Sequence, residues 1–285
     1  TAYMEVVATR YNTATGEYYT VTTNIPCSGN YGKNYYKFDV ENIPAAQLND
    51  ELTMTIHVND ADGKEYVGEA ITYSAAARAH KYVEDAKGAA LEKTMINLLR
   101  YAGAFQSYFG YNTANLASAR ITDADNAAYP VTEVVLPSDS PATITLNGAT
   151  VTNTQKSLNI EGIVGIANSF KLPSGADVNE YRLNVSYNDK SVDIAGSEWV
   201  YRNTTYGYKT VFDQFAAAQM RVRALFAVYQ GDAQVSDAFY FSIADYVATA
   251  HTAAANGNAN AQKLLPAFDA MLNYGDAAAA YFGTN

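Results

Sequence analysis

Two stretches of this chain gather side chains suited to holding a sugar. Pro26 to Lys37, reading PCSGNYGKNYYK, offers Tyr31, Lys33, Asn34, Tyr35 and Tyr36, and Gly196 to Lys209, reading GSEWVYRNTTYGYK, offers Glu198, Trp199, Tyr201, Arg202, Asn203, Tyr206 and Tyr208. A pyranose presents a flat C–H face and a rim of hydroxyls. A site for it needs exposed aromatic plates with amides and charged groups around them. The candidate ligand-binding set is therefore Tyr31, Lys33, Asn34 and Tyr35 from the first stretch and Trp199, Tyr201, Arg202, Asn203 and Tyr206 from the second. This reading requires Trp199, the only tryptophan, to be exposed. The same spacing has a structural meaning, because Trp199 and Tyr201 alternate as they would on one buried strand face, and Tyr36 and Tyr208 precede strands whose base they could fix.

Other chemistries find little support. Cys27 is the single cysteine, and His57, His80 and His251 lie in no recognisable nucleophile context. There is no GxSxG elbow, HExxH helix or phosphate-binding glycine loop. Asp60-Ala-Asp62-Gly63 lacks the further oxygens of a calcium loop and reads as a hairpin turn. The expectation is a non-catalytic chain with no metal and no organic cofactor. With 29 acidic against 19 basic residues the net charge is −10, which would repel nucleic acid. The apolar runs are too short for a membrane span.

The elements that must position the two stretches come in duplicate. Leu99 to Asn112 (LRYAGAFQSYFGYN) returns as Leu272 to Asn285 (LNYGDAAAAYFGTN), with 7 of 14 positions identical at an offset of 173 residues. Tyr36, Lys37, Ala45, Ala46 and Gln47 return as Tyr208, Lys209, Ala217, Ala218 and Gln219 at an offset of 172. Two echoes in one order mark one supersecondary unit used twice. In the first copy, residues 3–9, 17–23, 35–40, 52–58 and 65–73 carry the apolar and β-branched pattern of strands. At Ser74, a suitable N-cap, the period changes to that of a helix running to about Lys87. A second helix follows, with Leu91, Met95, Leu98, Leu99, Ala102, Phe105 and Phe109 on one stripe and Gly110 as its stop.

The second copy repeats this plan. Strands are expected near 158–167, 180–187, 191–194, 223–228 and 233–241, a loop over 196–209, a helix from Ser242, and a last helix whose regular part starts at Pro266. Val131 to Leu136 and Ala142 to Leu146 also read as strands. The fold class is α+β, two tandem similar lobes, each an antiparallel sheet or sandwich followed by a helical pair. The lobes are assigned to residues 1–117 and 142–285, with 118–141 as connector.

Three segments carry a family resemblance. They are Ile43 to Thr55 (IPAAQLNDELTMT), the Ile-Thr-Tyr-Ser run ending at Ser74, and Leu98 to Phe109, with Met271 to Phe282 (MLNYGDAAAAYF) as the second version of the last. Together they resemble a module of large secreted proteins of gut clostridia and ruminococci, whose last segment often reads LLNYGAAAQxYF. Such modules occur in the cell-surface starch-adherence proteins of ruminococcal amylosomes, whose duplicated sandwich-plus-helix domains bind α-glucans. The resemblance implies a secreted, cell-surface chain, part of a larger multidomain protein. It further implies a monomer whose partner is a polysaccharide, starch or a maltooligosaccharide, held by the aromatic loops in a bilobed groove. A structural or protein-interaction module of a large surface protein is the alternative. The matching positions themselves look like framework.

Overall fold

The computed structural model describes residues 1–30, 32 and 35–284. The chain divides into two compact units, Thr1–Val131 and Thr132–Asn285. The first contains strands β1 (Ala2–Tyr11), β2 (Tyr18–Pro26), β3 (Gly29–Asn30), β4 (Tyr36–Lys37), β5 (Leu52–Asn59), β6 (Glu65–Val67) and β7 (Ile71–Tyr73). Helices α1 (Ala75–Glu84), α2 (Ala89–Phe109) and α3 (Asp123–Ala128) follow. The second unit contains β8 (Thr143–Ile144), β9 (Thr152–Asn159), β10 (Gly165–Lys171), β11 (Tyr181–Tyr187), β12 (Lys190–Ala195) and β13 (Val200–Asn203). It continues with β14 (Gly207–Phe212), β15 (Ala224–Gln230), β16 (Ala233–Gln234) and β17 (Ala238–Phe241) and closes with α4 (Ile243–Ala255) and α5 (Ala259–Phe282). Antiparallel sheets followed by helices make the fold α+β. Among the described residues no helix is long and apolar enough to cross a membrane.

The repeat is written into strand pairing. In the first unit β1 lies between β2 and β5, and β5 also pairs with β6 and β7; in the second, β11 lies between β12 and β15, and β15 also pairs with β16 and β17. The registers agree as well. Val6 stands between Thr23 and Met54, and Val185 between Val192 and Phe226. Short 3₁₀ turns at Ala45–Gln47 and Ala217–Gln219 precede β5 and β15. Ser74 and Ser242 cap α1 and α4 with hydrogen bonds from Ala77 N (3.0 Å) and Asp245 N (3.0 Å). Gly110 ends α2 in the left-handed region, φ 64°, where a side chain would be strained.

In the first unit, residues peculiar to that copy hold local framework. Buried Gln106 accepts from Ala117 N (2.7 Å) and donates to Asn115 O (3.1 Å), tying the loop after α2 to the helix. Tyr111 donates to buried Asp50 (2.7 Å), and Asp50 also pairs with Arg10 (2.7 Å). Burial raises the pKa of both Asp50 and Tyr111, and the Arg10 and Tyr111 hydrogen bonds pull Asp50 back toward its charged form. Arg100 holds Tyr129 O at 2.7 Å in the first unit, while Arg221 binds Val135 O at 2.7 Å and Asn273 binds Thr132 in the second.

The second unit has a further sheet, ordered β13-β14-β10-β9. Its inner face meets the inner face of the β11–β15 sheet. Phe212 on β14 packs edge-on against Tyr187 (5.5 Å between centroids) and Phe226 (6.3 Å), and Phe226 stacks on Phe239 at 5.4 Å. Ile166, Phe170, Leu183, Val185 and Val228 are fully buried in this core. Several points differ from the sequence reading, and the expected strands 65–73 and 233–241 each break into two, β6 with β7 and β16 with β17. Residues 158–167 are not one strand but the end of β9, a turn over 160–164 and the start of β10; the apolar run Ile160, Ile163, Val164 continues through the turn and hides it. Residues 196–209 are mostly the hairpin β13–β14 and not a loop. Val131 to Leu136 forms no strand, being held by side chains of Arg221 and Asn273 and not by a ladder. Helix α5 starts at Ala259, capped by Asn258 (3.0 Å from Ala261 N), and carries Pro266 inside it.

A polar group lies within the second unit's core. Asn168, fully buried on the inner face of β10, sits opposite Thr210 on β14 and Lys156 on β9, and among the described residues neither its amide nor the Thr210 hydroxyl has a hydrogen-bond partner. An unpaired buried amide costs on the order of 1–3 kcal/mol. Asn168→Leu should therefore raise the second unit's stability by about 1–2 kcal/mol, read as a higher urea midpoint with an unchanged slope. A fall in midpoint would show that Asn168 is satisfied in solution.

Candidate functional site

The best-defined site is built on the β13–β14 hairpin. Along β14 alternate residues share a face, and the inner row runs Phe212, Thr210, Tyr208. Phe212 and Thr210 lie under the opposing sheet, whereas Tyr208 is only half-buried. Tyr201 stands directly opposite Tyr208 and is 53 % exposed, with the two rings edge-to-face at 5.3 Å. The core face of the sheet thus continues beyond its cover and delivers two phenol rings to solvent.

The turn between the strands is locked. Asn203 Oδ1 accepts from Thr205 N (3.0 Å) and Tyr206 N (2.9 Å), and Thr154 donates to Tyr206 O (2.7 Å). Gly207 adopts φ +77°, and a Cβ there would come within 2.1 Å of Phe170 O, so both the conformation and the space demand glycine. Arg202 lies at the ladder's irregularity, with its guanidinium 4.8 Å from the Tyr206 ring and hydrogen-bonded to Gln155. Beside the hairpin is an open hollow of about 400 Å³, walled by Tyr201, Asn203 and Tyr208 on one side and by Lys171 and Leu172 to Ala176 on the other.

The candidate residues separate in this geometry. Tyr201 and Asn203 line the hollow; Arg202 and Tyr206 brace its turn. Trp199 does not serve as an exposed plate. It is 6 % exposed, stacked on Phe170 at 5.6 Å, and its indole N–H reaches Ile194 O at 3.3 Å. The cause is the sharp turn Gly196–Glu198, where Glu198 accepts from Ala195 N (3.1 Å) and a Cβ on Gly196 would fall 1.8 Å from Val178 O. That turn drives the next residue into the sandwich. In the first unit Tyr35 and Tyr36 are exposed, at 72 % and 65 %, on β4 and the residue before it. Tyr31, Lys33 and Asn34 lie outside the described residues. Sequence reasoning missed Lys171 and the Leu172-Pro-Ser-Gly175 turn, whose signal was a proline–glycine turn directly after an apolar strand.

Charged clusters elsewhere are structural. Arg223 binds Asp245 (2.8 Å) and Asp139 (2.6 Å), which raises the pKa of Arg223 and lowers that of Asp139. His251 binds Asp269 at 2.7 Å. Among the described residues no three His, Cys, Asp or Glu side chains are grouped to hold a metal ion.

No protein-family model, curated protein or solved structure matches this chain at a significant level. The chemistry of the site is therefore read from its own residues. Tyr201, Tyr208, Asn203 and Lys171 are among the residues lining an open hollow, and the exposed Tyr201 ring suits a ligand with an apolar face.

Burial separates Trp199, just ahead of β13, from Tyr201 on it. Trp199→Ala should cost about 3–5 kcal/mol of the second unit's stability, whereas Tyr201→Ala should change it by less than about 1 kcal/mol. Chemical denaturation of both variants checks this. Equal losses would place Tyr201 in the core as well.

Proposed function

We propose that this chain is a non-catalytic carbohydrate-binding module for starch-like α-1,4-glucan, acting at the hollow beside Tyr201 and Tyr208. The observation that carries the reading is exposed Tyr201 set edge-to-face on half-buried Tyr208 in a hairpin, with Asn203 and Lys171 among the residues lining the hollow. A glucose ring would lay its C–H face on Tyr201, and the amide and ammonium would take hydroxyls. Stacking of this kind is worth roughly 0.5–1.5 kcal/mol beyond the buried area, so single-sugar affinity is low and retention on an insoluble polymer depends on several contacts. Choice of α-glucan over other glycans rests on the resemblance of the helix-pair motifs to starch-adherence modules. So do a secreted, cell-surface setting, monomeric action and membership of a larger protein.

A structural or protein-interaction role is the second reading. The burial of Trp199 favours it, since a spacer has no need to expose its largest aromatic residue.

Retention of the purified chain on insoluble starch, with cellulose and mannan as controls, tests the proposal. Selective starch retention is expected, and Tyr201→Ala should reduce it about tenfold, the equivalent of about 1.4 kcal/mol. Retention on no glycan would leave the structural reading in front. Starch retention untouched by Tyr201→Ala would move the site away from the hairpin.

A further inference from the structure

The sheet that carries the hollow is charged in one sense only. Its strands β9, β10, β13 and β14 hold Lys156, Lys171, Arg202 and Lys209 and no acidic residue, in a chain whose net charge is −10. Lys156 serves the core, with its ammonium 4.1 Å from the centre of the Phe239 ring. Among the described residues the other three have no carboxylate partner. Arg202 is held instead by Gln155 and the Tyr206 ring. Acids on the adjoining segments take other partners. Asp177 accepts from Asn179 N (3.0 Å) and Nδ2 (2.9 Å), Glu180 from Gln230 (2.8 Å) and Glu198 from Ala195 N (3.1 Å). A cationic surface on an acidic chain concentrates anions locally.

Within the hollow the polar groups are biased the same way. Among the described residues Lys171 is the only charged one on the wall, and it is exposed. Asn203 Oδ1 is committed to Thr205 N and Tyr206 N, so the part of that amide left for a ligand is its NH₂ group. An ammonium and an amide held in this way donate and do not accept. Ser174 and Thr204 add hydroxyls, which serve in either sense. Every hydroxyl of a neutral sugar brings a hydrogen that needs an acceptor, whereas a carboxylate or a phosphate brings acceptors alone. Hydrogen bonds from a cation to such an oxyanion are roughly twice as strong as neutral ones.

We propose that the hollow takes a sugar bearing an oxyanion, with the ring on Tyr201 and the carboxylate or phosphate on Lys171 and Asn203. Where the polymer is concerned this rests on the α-glucan reading above, and the preferred form is then an α-glucan carrying phosphate monoesters. The same groups would serve a uronate, whose carboxylate belongs to the sugar itself. Arg202 and Lys209 are not on the wall of the hollow and act through their field, which decays over about 8 Å at physiological salt. The anion adds selectivity to a contact that stacking alone leaves weak.

Retention of the purified chain on a phosphate-bearing starch, on the same starch after phosphatase treatment and on insoluble polygalacturonate tests this. The phosphate-bearing starch should hold the chain about tenfold better than the treated one. Lys171→Met, which keeps the length of the side chain and removes its charge, should abolish that advantage, and Lys171→Arg should retain it. Because Lys171 is exposed, the Met variant should unfold at the parent's urea midpoint. Equal retention on the two starches overturns the proposal and leaves the α-glucan reading in place. An advantage that Lys171→Met leaves unchanged also overturns it, by putting the anion elsewhere on the cationic sheet. Retention on polygalacturonate that Lys171→Met abolishes, with none on either starch, supports the oxyanion and removes the α-glucan reading instead. Retention on none of the three overturns both.

Discussion

A twisted antiparallel sheet with one apolar face is stable only when that face is covered, and this constraint organises the whole chain. In the second unit the cover is a second sheet, and the contact is aromatic. Phe212 reaches Phe226 and Tyr187, Phe226 stacks on Phe239, and Trp199 lies on Phe170. Each fully buried ring of this size contributes roughly 1.5–3 kcal/mol relative to exposure. Within the covering sheet, glycine marks places where the neighbouring strands β10 and β14 come close. A Cβ on Gly165 would stand 2.7 Å from Phe212 O, and one on Gly207 2.1 Å from Phe170 O. The first unit carries the same sheet with smaller inner residues and a partial cover, and leaves Ile71 and Tyr73 to solvent.

The same constraint explains where the candidate site lies. A sheet that extends past its partner must end its inner row in solvent, and a row of aromatic residues then becomes a binding surface without any new element. Tyr208 and Tyr201 are that end of the row. The tryptophan nearest to them belongs to the core because the Gly196–Glu198 turn aims it inward. Aromatic content in the hairpin thus has two uses two residues apart, packing at Trp199 and exposure at Tyr201.

The helices and their caps were legible in the sequence because capping chemistry is local. Ser74, Ser242 and Gly110 each act within one turn of their own position. The duplication was legible for a related reason, since its repeated residues include buried framework positions such as Leu99 and Leu272. Strands β9 and β10 were not legible as two, because an apolar run crosses their turn. The β13–β14 hairpin was masked by Asn, Thr and Gly in its own turn, which read as loop. Trp199 shows the limit of composition most clearly. Its fate depends on Phe170, 29 residues earlier in the chain, and alternation alone left buried and exposed readings open. Lys171 and the Pro173 turn entered the site only when the strands had been placed.

The difference in cover between the units is the central claim, and Trp199 makes it directly measurable. Trp199 reports the second unit alone, while far-UV circular dichroism reports both. In a urea titration followed by the two signals together, part of the ellipticity should be lost before Trp199 emission moves, giving two transitions with the first unit unfolding earlier. One coincident transition in both signals would contradict the account, because it would mean that the incompletely covered sheet is as stable as the closed sandwich.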